Sequence, residues 1–137
     1  MVEKNADAKS PAEIPERLFA AMREKNYEAI RALFIAEGQL VAVDSPRDGK
    51  GVSKTRVFKA DAFAKMIAEA KGAEYIEKMP RKEIEINGDF ALVTGRYTFH
   101  VGEKFSHCGV NSFHLVKTES GWRIANAAST LEFDCGQ

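Results

Sequence analysis

Alternation of apolar and polar residues in the second half of the chain constrains the fold more strongly than any other feature of the sequence. Between residues 83 and 131, apolar side chains return at every second position over several runs, which is the period of a β-strand with one buried face. Asn87-Gly88 separates two of these runs, and this dipeptide supplies the positive φ angles of a two-residue hairpin turn. Gly102 marks a second hairpin, and residues 118–121 mark a third. The pattern therefore predicts a meander of long antiparallel strands.

The first half of the chain shows helical spacing instead. Apolar residues three and four positions apart predict helices over residues 15–25, 27–36 and 60–71. Asn26 is placed to cap the second helix. A short strand is predicted at residues 39–44. The basic segment 50–59 is predicted to be irregular, either as a solvated loop or as an anion-binding lip.

The order of these elements indicates the fold class. Three N-terminal helices followed by a mostly antiparallel sheet predict an α+β fold. At 137 residues, the chain has the length of a single domain. We assign residues 1–10 to a flexible N-terminus, residues 11–133 to the domain and residues 134–137 to a tail.

The composition excludes several classes of function. Lys and Arg together number 20, as do Asp and Glu, so no net charge favours nucleic acid or an anionic membrane as a partner. No apolar run approaches the ~20 residues of a membrane span, and the first residues lack the apolar core of a signal peptide. Two cysteines, Cys108 and Cys135, do not suggest a disulfide framework. We therefore expect a reduced, cytoplasmic protein.

Neither a metal site nor a cofactor is expected. The three histidines lie seven residues apart, at His100, His107 and His114. Cys108 must point to the opposite side of its strand from His107, so the two cannot bind one ion from one face. The sequence contains neither a Cys-x-x-Cys nor a His-Glu-x-x-His spacing.

Three segments carry a resemblance to a known family. They are LFAAMREKNYEAIRALF in the first two helices, VAVDSP on the first strand, and NSFHLVKTESGWRIANAAST near the end. Together they resemble the NTF2-like superfamily and, within it, the SnoaL-like proteins, which include ketosteroid isomerase. The resemblance spans residues 15–131. It implies an NTF2-like cone, in which a curved, mostly antiparallel sheet wraps the helices around an apolar cavity, and a homodimer formed through the outer face of the sheet.

The register of the last hairpin decides which side chains face that cavity, because side chains alternate across a strand. If Thr118-Glu119 forms the centre of the turn, Asn111 lies opposite Asn126 and His107 lies opposite Thr130. A bulge or a three-residue turn near Gly102 then brings the preceding strand onto the same face. The residues expected to bind a ligand are Tyr97, Phe99, Asn111, Phe113, Asn126 and Thr130, with Phe105, Val93 and Leu40 completing the apolar wall.

Asp44 and His107 are the candidate catalytic residues. With a two-residue insertion after Phe34, the resemblance places Asp44 at the proton-shuttling aspartate of ketosteroid isomerase. It places Leu18 where that enzyme has a tyrosine, and Asn111 where it has a protonated aspartate, so steroid isomerisation is disfavoured. A neutral imidazole at position 107 suits acid–base chemistry. The alternatives are that Asp44 begins a turn, and that His107 is a core residue bonded to Thr130 or Asn126.

Two main functions remain open at this point. One is a pocket protein that binds a small, mostly apolar ligand. The other is an isomerase or a dehydratase-like lyase that uses Asp44 and His107 as acid–base groups. A module that only mediates protein interactions is a third, weaker possibility.

Overall fold

A computed structural model of the chain describes residues 8–135. In this range three helices pack on one curved sheet of seven strands. The elements in order are α1 Glu13–Arg23, α2 Tyr27–Ala32, β1 Phe34–Asp44, β2 Lys54–Lys59, α3 Ala60–Glu69, β3 Tyr75–Lys78, β4 Glu83–Asn87, β5 Phe90–Val101, β6 Lys104–Thr118 and β7 Gly121–Leu131. The predicted α+β class, with three helices on a mostly antiparallel sheet, is confirmed.

The strands follow the order β2-β1-β7-β6-β5-β3, and β4 pairs with the other half of β5. Only the β1–β7 pair is parallel among the described strands. The helices pack against one face of the sheet. The core between them contains Ile14 and Ile30 from the helices and Leu115 and Ile124 from the sheet, none of them accessible to solvent.

The second helix is shorter than its spacing predicts. The Asn26 side chain caps it as expected, accepting a hydrogen bond from the Ala29 N–H at 3.1 Å. The helix nevertheless ends at Ala32, because the chain from Phe34 onward pairs with β7. The Ile124 N–H donates to the Leu33 carbonyl at 2.7 Å. Tertiary pairing thus overrides local helix propensity here.

Two strands were not predicted. Residues 54–59, expected to be irregular, form the edge strand β2, which pairs antiparallel with β1. Its side chains are mostly exposed, and exposed cations on an edge strand hinder pairing with another chain. The four-residue strand β3 pairs with β5 and places Glu77 opposite Phe99.

The register between β5 and β6 agrees with the prediction of an irregularity near Gly102. Phe99 lies opposite His107, whereas His100 lies opposite Phe105, so Ser106 is an extra, bulged residue. The bulge keeps His107 on the concave face. It also turns Phe105 to the outer face, where its ring packs against His100 with centroids 5.6 Å apart. The expectation that Phe105 lines the apolar wall is therefore wrong.

The register predicted for the last hairpin is also wrong. Thr118 pairs with Gly121, so the turn is centred one residue later than expected. A bulge at Ala125 then follows, since Leu115 lies opposite Ile124 but His114 lies opposite Asn126. One extra residue in a strand moves every later side chain of that strand to the opposite face of the sheet. Asn126 and Thr130 consequently point away from the cavity.

The two cysteines form a disulfide, contrary to expectation. Cys108 and Cys135 are bonded, with Cα atoms 6.4 Å apart. Glu132 leads the tail back along β6, exchanging backbone hydrogen bonds of 2.9 and 2.8 Å with Cys108. This return of the tail brings together two cysteines that are 27 residues apart.

The two ends of the chain are only partly described. Most of the predicted flexible N-terminus, residues 1–7, lies outside the described residues, as do residues 136 and 137. Ala8 is buried, and its carbonyl accepts the Trp122 N–H at 3.1 Å. No helix in the described range is long and apolar enough to cross a membrane. A cytoplasmic location stays a prediction.

Candidate functional site

The concave face of the sheet and helices α1 and α3 line a partly open cavity of about 160 Å³, referred to below as the inner cavity. Its wall is mostly apolar, and an apolar cavity of roughly 150 Å³ is large enough to hold a benzene molecule. The apolar lining consists of Leu18, Phe19, Met22, Leu40, Ala42, Phe58, Phe63, Met66, Ile67, Phe99, Phe113, Ala127 and Leu131. The polar residues that line the inner cavity are Arg56, Glu77, Tyr97, His107, Asn111 and Ser129.

A chain of hydrogen bonds links three of the polar residues. The Asn111 amide nitrogen donates to Glu77 Oε2 at 2.7 Å. The Ser129 hydroxyl donates to Asn111 Oδ1 at 2.5 Å. Asn111 is only 2% exposed, and both ends of its amide are engaged. Asn111 therefore orients the Glu77 carboxylate rather than offering a free donor to a ligand.

Glu77 is the residue that sequence reasoning missed. Burial in the apolar cavity raises the pKa of Glu77 from its ordinary 4.5 to about 7, although the hydrogen bond from Asn111 acts in the opposite direction. Its protonated and ionised forms are then both populated near neutral pH, as acid–base chemistry requires. The sequence predicts strand β3 only weakly, because the alternation of Tyr75 and Glu77 with Ile76 extends over only four residues.

His107 lies on the far side of Phe99 from Glu77, since Phe99 pairs with Glu77 on β3 and with His107 on β6. Its ring stacks on Phe99, with centroids 4.7 Å apart, and meets Tyr97 edge-on at 5.8 Å. The expected partners Thr130 and Asn126 are both wrong, because Nδ1 bonds the bulged Ser106 hydroxyl at 2.9 Å. Burial lowers the pKa of His107, outweighing the opposing effect of Asp44. The imidazole is therefore neutral at pH 7.

Tyr97 lines the cavity, but its hydroxyl is already used. The hydroxyl donates to the Thr130 carbonyl at 2.5 Å, and the residue is 3% exposed. Burial, followed by the nearby Glu77 carboxylate, raises the pKa of Tyr97 well above its ordinary value. Tyr97 is thus a neutral wall residue that can contact a ligand through its ring.

Asp44 lies outside the inner cavity. It ends β1 and makes a two-bond ion pair with Arg56 of β2, at 2.6 and 2.9 Å. This partner could not be foreseen, because β2 was not predicted. Asp44 therefore does not line the inner cavity, and its role as a base stays a prediction.

Two expected ligand-binding residues also lie outside the inner cavity. The Asn126 oxygen accepts from the Gln39 amide at 3.4 Å. The Thr130 hydroxyl accepts from the Val110 N–H at 2.9 Å and donates to Glu132 at 2.8 Å. Ala127, Ser129 and Leu131 occupy the cavity wall in their place, whereas Tyr97, Phe99, Asn111 and Phe113 lie where the sequence placed them.

A second, open depression of about 670 Å³ adjoins the inner cavity and is called the outer groove. Arg56, His107 and Leu131 line both spaces. The outer groove is further lined by Asp44, Ser45, Pro46, Arg47, Lys50, Val52, Lys54, Ser106 and Phe133. Among residues 8–135, no group of three or more His, Cys, Asp or Glu side chains is placed to hold a metal ion.

Comparison with known proteins assigns the family. The SnoaL-like domain matches residues 12–130, which is most of the chain. The chain belongs to the SnoaL-like family. No protein with a curated description matches it.

Solved structures show the same fold. An NTF2-like protein with a cystatin-like fold from Novosphingobium aromaticivorans superposes with a TM-score of 0.70 at 16% identity, covering 90% of this chain and 80% of that one. A Nostoc punctiforme protein of unknown function gives 0.70 at 12% identity, covering 94% and 98%. An NTF2-like superfamily protein from Salmonella enterica gives 0.65 at 16% identity, covering 90% and 89%. These likenesses concern the fold, and this SnoaL-like protein therefore has the NTF2-like cone that its sequence predicts.

Proposed function

We propose that this SnoaL-like protein binds a small, mostly apolar molecule in the inner cavity, with a polar group of that molecule at Glu77 or at His107. The observation that carries the proposal is a carboxyl group held by Asn111 inside an apolar wall. A concave apolar site with a few convergent polar groups is the usual form of a small-molecule site.

The size and chemistry of the inner cavity define the ligand class. A volume of about 160 Å³ accommodates one six-membered ring with a small substituent. Nε2 of His107 makes no hydrogen bond within residues 8–135, and Glu77 can accept a bond when ionised or donate one when protonated. A hydroxyl or a carbonyl on the ring would satisfy either group.

Phenol and toluene are suitable probes, because they share a ring and differ in the polar substituent. Titration into nitrogen-15-labelled protein, followed by amide NMR, should shift resonances of Leu18, Phe113 and Ala127 at the cavity wall. Phenol should bind more tightly than toluene by about tenfold, the size of one hydrogen bond to a charged or buried group. Shifts confined to the outer face of the sheet would contradict the proposal.

A matched pair of variants tests the location. Ala127 is buried in the cavity wall, whereas the next residue, Ala128, faces the other side of the same strand. Ala127→Leu should abolish phenol binding by filling the cavity, and Ala128→Leu should leave it unchanged. Equal loss in both variants, or in neither, would overturn the assignment of the site.

Acid–base catalysis is a second candidate, favoured by the raised pKa of Glu77. An ionised Glu77 could take a proton from a carbon next to a carbonyl group, leaving the electron pair of that bond on the carbonyl oxygen as an enolate. When the Ser106 hydroxyl donates to Nδ1 of His107, the ring proton lies on Nε2 and can stabilise that oxygen. If the substrate also has a carbon–carbon double bond conjugated with the enolate, return of the proton to the far carbon of that double bond would complete an isomerisation. Glu77 thus takes the role that the sequence suggested for Asp44.

Exchange of α-hydrogens of cyclohexanone in heavy water, followed by proton NMR, tests this chemistry. The wild-type protein should accelerate exchange, Glu77→Gln should abolish the acceleration, and Asp44→Asn should retain it. No acceleration by the wild-type protein would leave only the binding function. Loss in Asp44→Asn alone would restore Asp44 as the base.

A further inference from the structure

The outer groove carries a concentration of positive charge that the protein as a whole does not have. Across the full chain, 20 cationic side chains balance 20 acidic ones. The outer groove is nevertheless lined by four cations, Arg47, Lys50, Lys54 and Arg56, and by a single carboxylate, Asp44. A cleft lined by one sign of charge attracts the opposite charge.

The single carboxylate neutralises only one of these cations. Asp44 is bound to Arg56 through two hydrogen bonds. No ion pair involves Arg47, Lys50 or Lys54 within the described part of the chain. Asp48, the neighbouring acidic residue of the loop, accepts the Lys50 backbone N–H and does not line the outer groove.

One of the three remaining cations is held in place. The Arg47 guanidinium lies over the Phe133 ring, 3.8 Å from its centroid. That ring in turn meets His107 edge-on at 6.3 Å, and Cys135, two residues further on, is tied to β6 by the disulfide. Stacking on an aromatic ring positions Arg47 and leaves its N–H edge free for a planar anion.

The outer groove adjoins the inner cavity. Arg56, His107 and Leu131 form a shared boundary. Glu77 lies on the inner side only. A ligand that occupies the inner cavity therefore has the cations of the outer groove at its exit, separated from the Glu77 carboxyl.

From this arrangement we propose that the ligand is amphiphilic, with a ring-sized apolar body in the inner cavity and an anionic group, a carboxylate or a phosphate, at Arg47, Lys50 and Lys54. The inference deepens the proposed function and depends on it. Under this proposal Lys50 and Lys54, which belong to the basic segment 50–59, form an anion-binding lip rather than part of a solvated loop.

The test compares 3-phenylpropanoate with 3-phenylpropan-1-ol, which share an aromatic body and differ in charge. Dissociation constants and shift maps come from amide NMR on the full chain. The carboxylate should bind about tenfold more tightly, the size expected of two or three partly exposed charge pairs. High salt should remove this advantage without changing the affinity for the alcohol.

Charge-neutral variants locate the anion site. The triple variant Arg47→Gln/Lys50→Gln/Lys54→Gln should bind the acid and the alcohol equally. Lys117→Gln, an exposed lysine on the last hairpin, should keep the tenfold preference. Since these side chains are exposed, folding of the variants is checked by unchanged shifts in the core.

The outcomes separate the two proposals. Equal affinity for acid and alcohol, with shifts at the inner cavity, would overturn the anion site and leave the proposed function standing. Binding of the acid that shifts only outer-groove residues would overturn the combined site. The absence of any cavity shift with either compound would overturn the proposed function itself. Binding of the protein to phosphatidylglycerol vesicles, without binding of the soluble acid, would also count against a small-molecule ligand.

Discussion

Replacing Glu77 with glutamine should make the protein more stable at neutral pH and should flatten the dependence of its stability on pH. Glutamine keeps the size of the side chain and an oxygen that can accept from Asn111. It removes a charge that is costly to bury among apolar residues. A gain of stability on removing a charged group is unusual, and it follows here only if the carboxyl group lies inside the cavity.

The size of the effect follows from the pKa of Glu77. The pKa rises from 4.5 to about 7 on folding. Between these values the folded state binds more protons than the unfolded state, so the free energy of unfolding falls as pH rises through this window. At about 1.36 kcal/mol for each pH unit, the total loss is about 3 kcal/mol by pH 7 and above. Below pH 4.5 the wild type and Glu77→Gln should be equally stable.

Urea denaturation at a series of pH values between 4 and 8 measures this difference. Glu85→Gln, on the exposed strand β4, is the matched control and should follow the wild-type curve. A difference between Glu77→Gln and the wild type that stays constant with pH would contradict the burial of Glu77. So would a glutamine variant that is less stable at pH 8.

Three further predictions concern the disulfide, a helix cap and the assembly. Cys135→Ser should lower the free energy of unfolding by about 3 to 4 kcal/mol, the loop-entropy effect of a cross-link between residues 27 apart; urea curves that coincide for variant and wild type under oxidising conditions would argue against the disulfide. Asn26→Ala should cost about 1 kcal/mol because it removes the cap of α2, and an unchanged urea midpoint would show that the cap contributes nothing. The homodimer through the outer face stays a prediction: the wild type should sediment as a dimer and Phe90→Glu, which charges a ring that is 44% exposed, should sediment as a monomer, whereas a monomeric wild type would disprove it.

The part of the site on β5 and β6 could be predicted from the sequence. Tyr97, Phe99, Asn111 and Phe113 lie on the concave face, because long runs of large apolar residues determine which face of a strand is buried. Keeping these residues on one face also required a bulge or a three-residue turn near Gly102, and the structure places the extra residue at Ser106.

The assignment failed where this signal is weak. After Ile124, strand β7 reads Ala-Asn-Ala-Ala-Ser, and small residues fit either face. The bulge at Ala125 therefore left no trace in the apolar pattern, and Asn126 and Thr130 were placed on the wrong side. A one-residue bulge among small residues displaces no large apolar side chain, so the period-two pattern of this segment does not reveal it.

Glu77 was missed for a related reason. Its strand has four residues, too few for a period to be recognised. Its role depends on Asn111, a partner 34 residues away, and long-range pairs of this kind cannot be read from local spacing. The Asp44–Arg56 and Cys108–Cys135 pairs escaped prediction for the same reason.

The carboxyl resonance of Glu77, followed by carbon-13 NMR and assigned with Glu77→Gln, reports on both the acid and the cavity around it. Without a ligand, its titration midpoint should lie at about 7, and saturating toluene should raise it further by excluding water without adding charge. A midpoint near 4.5 that toluene leaves unchanged would show that Glu77 faces water and that the inner cavity is no binding site.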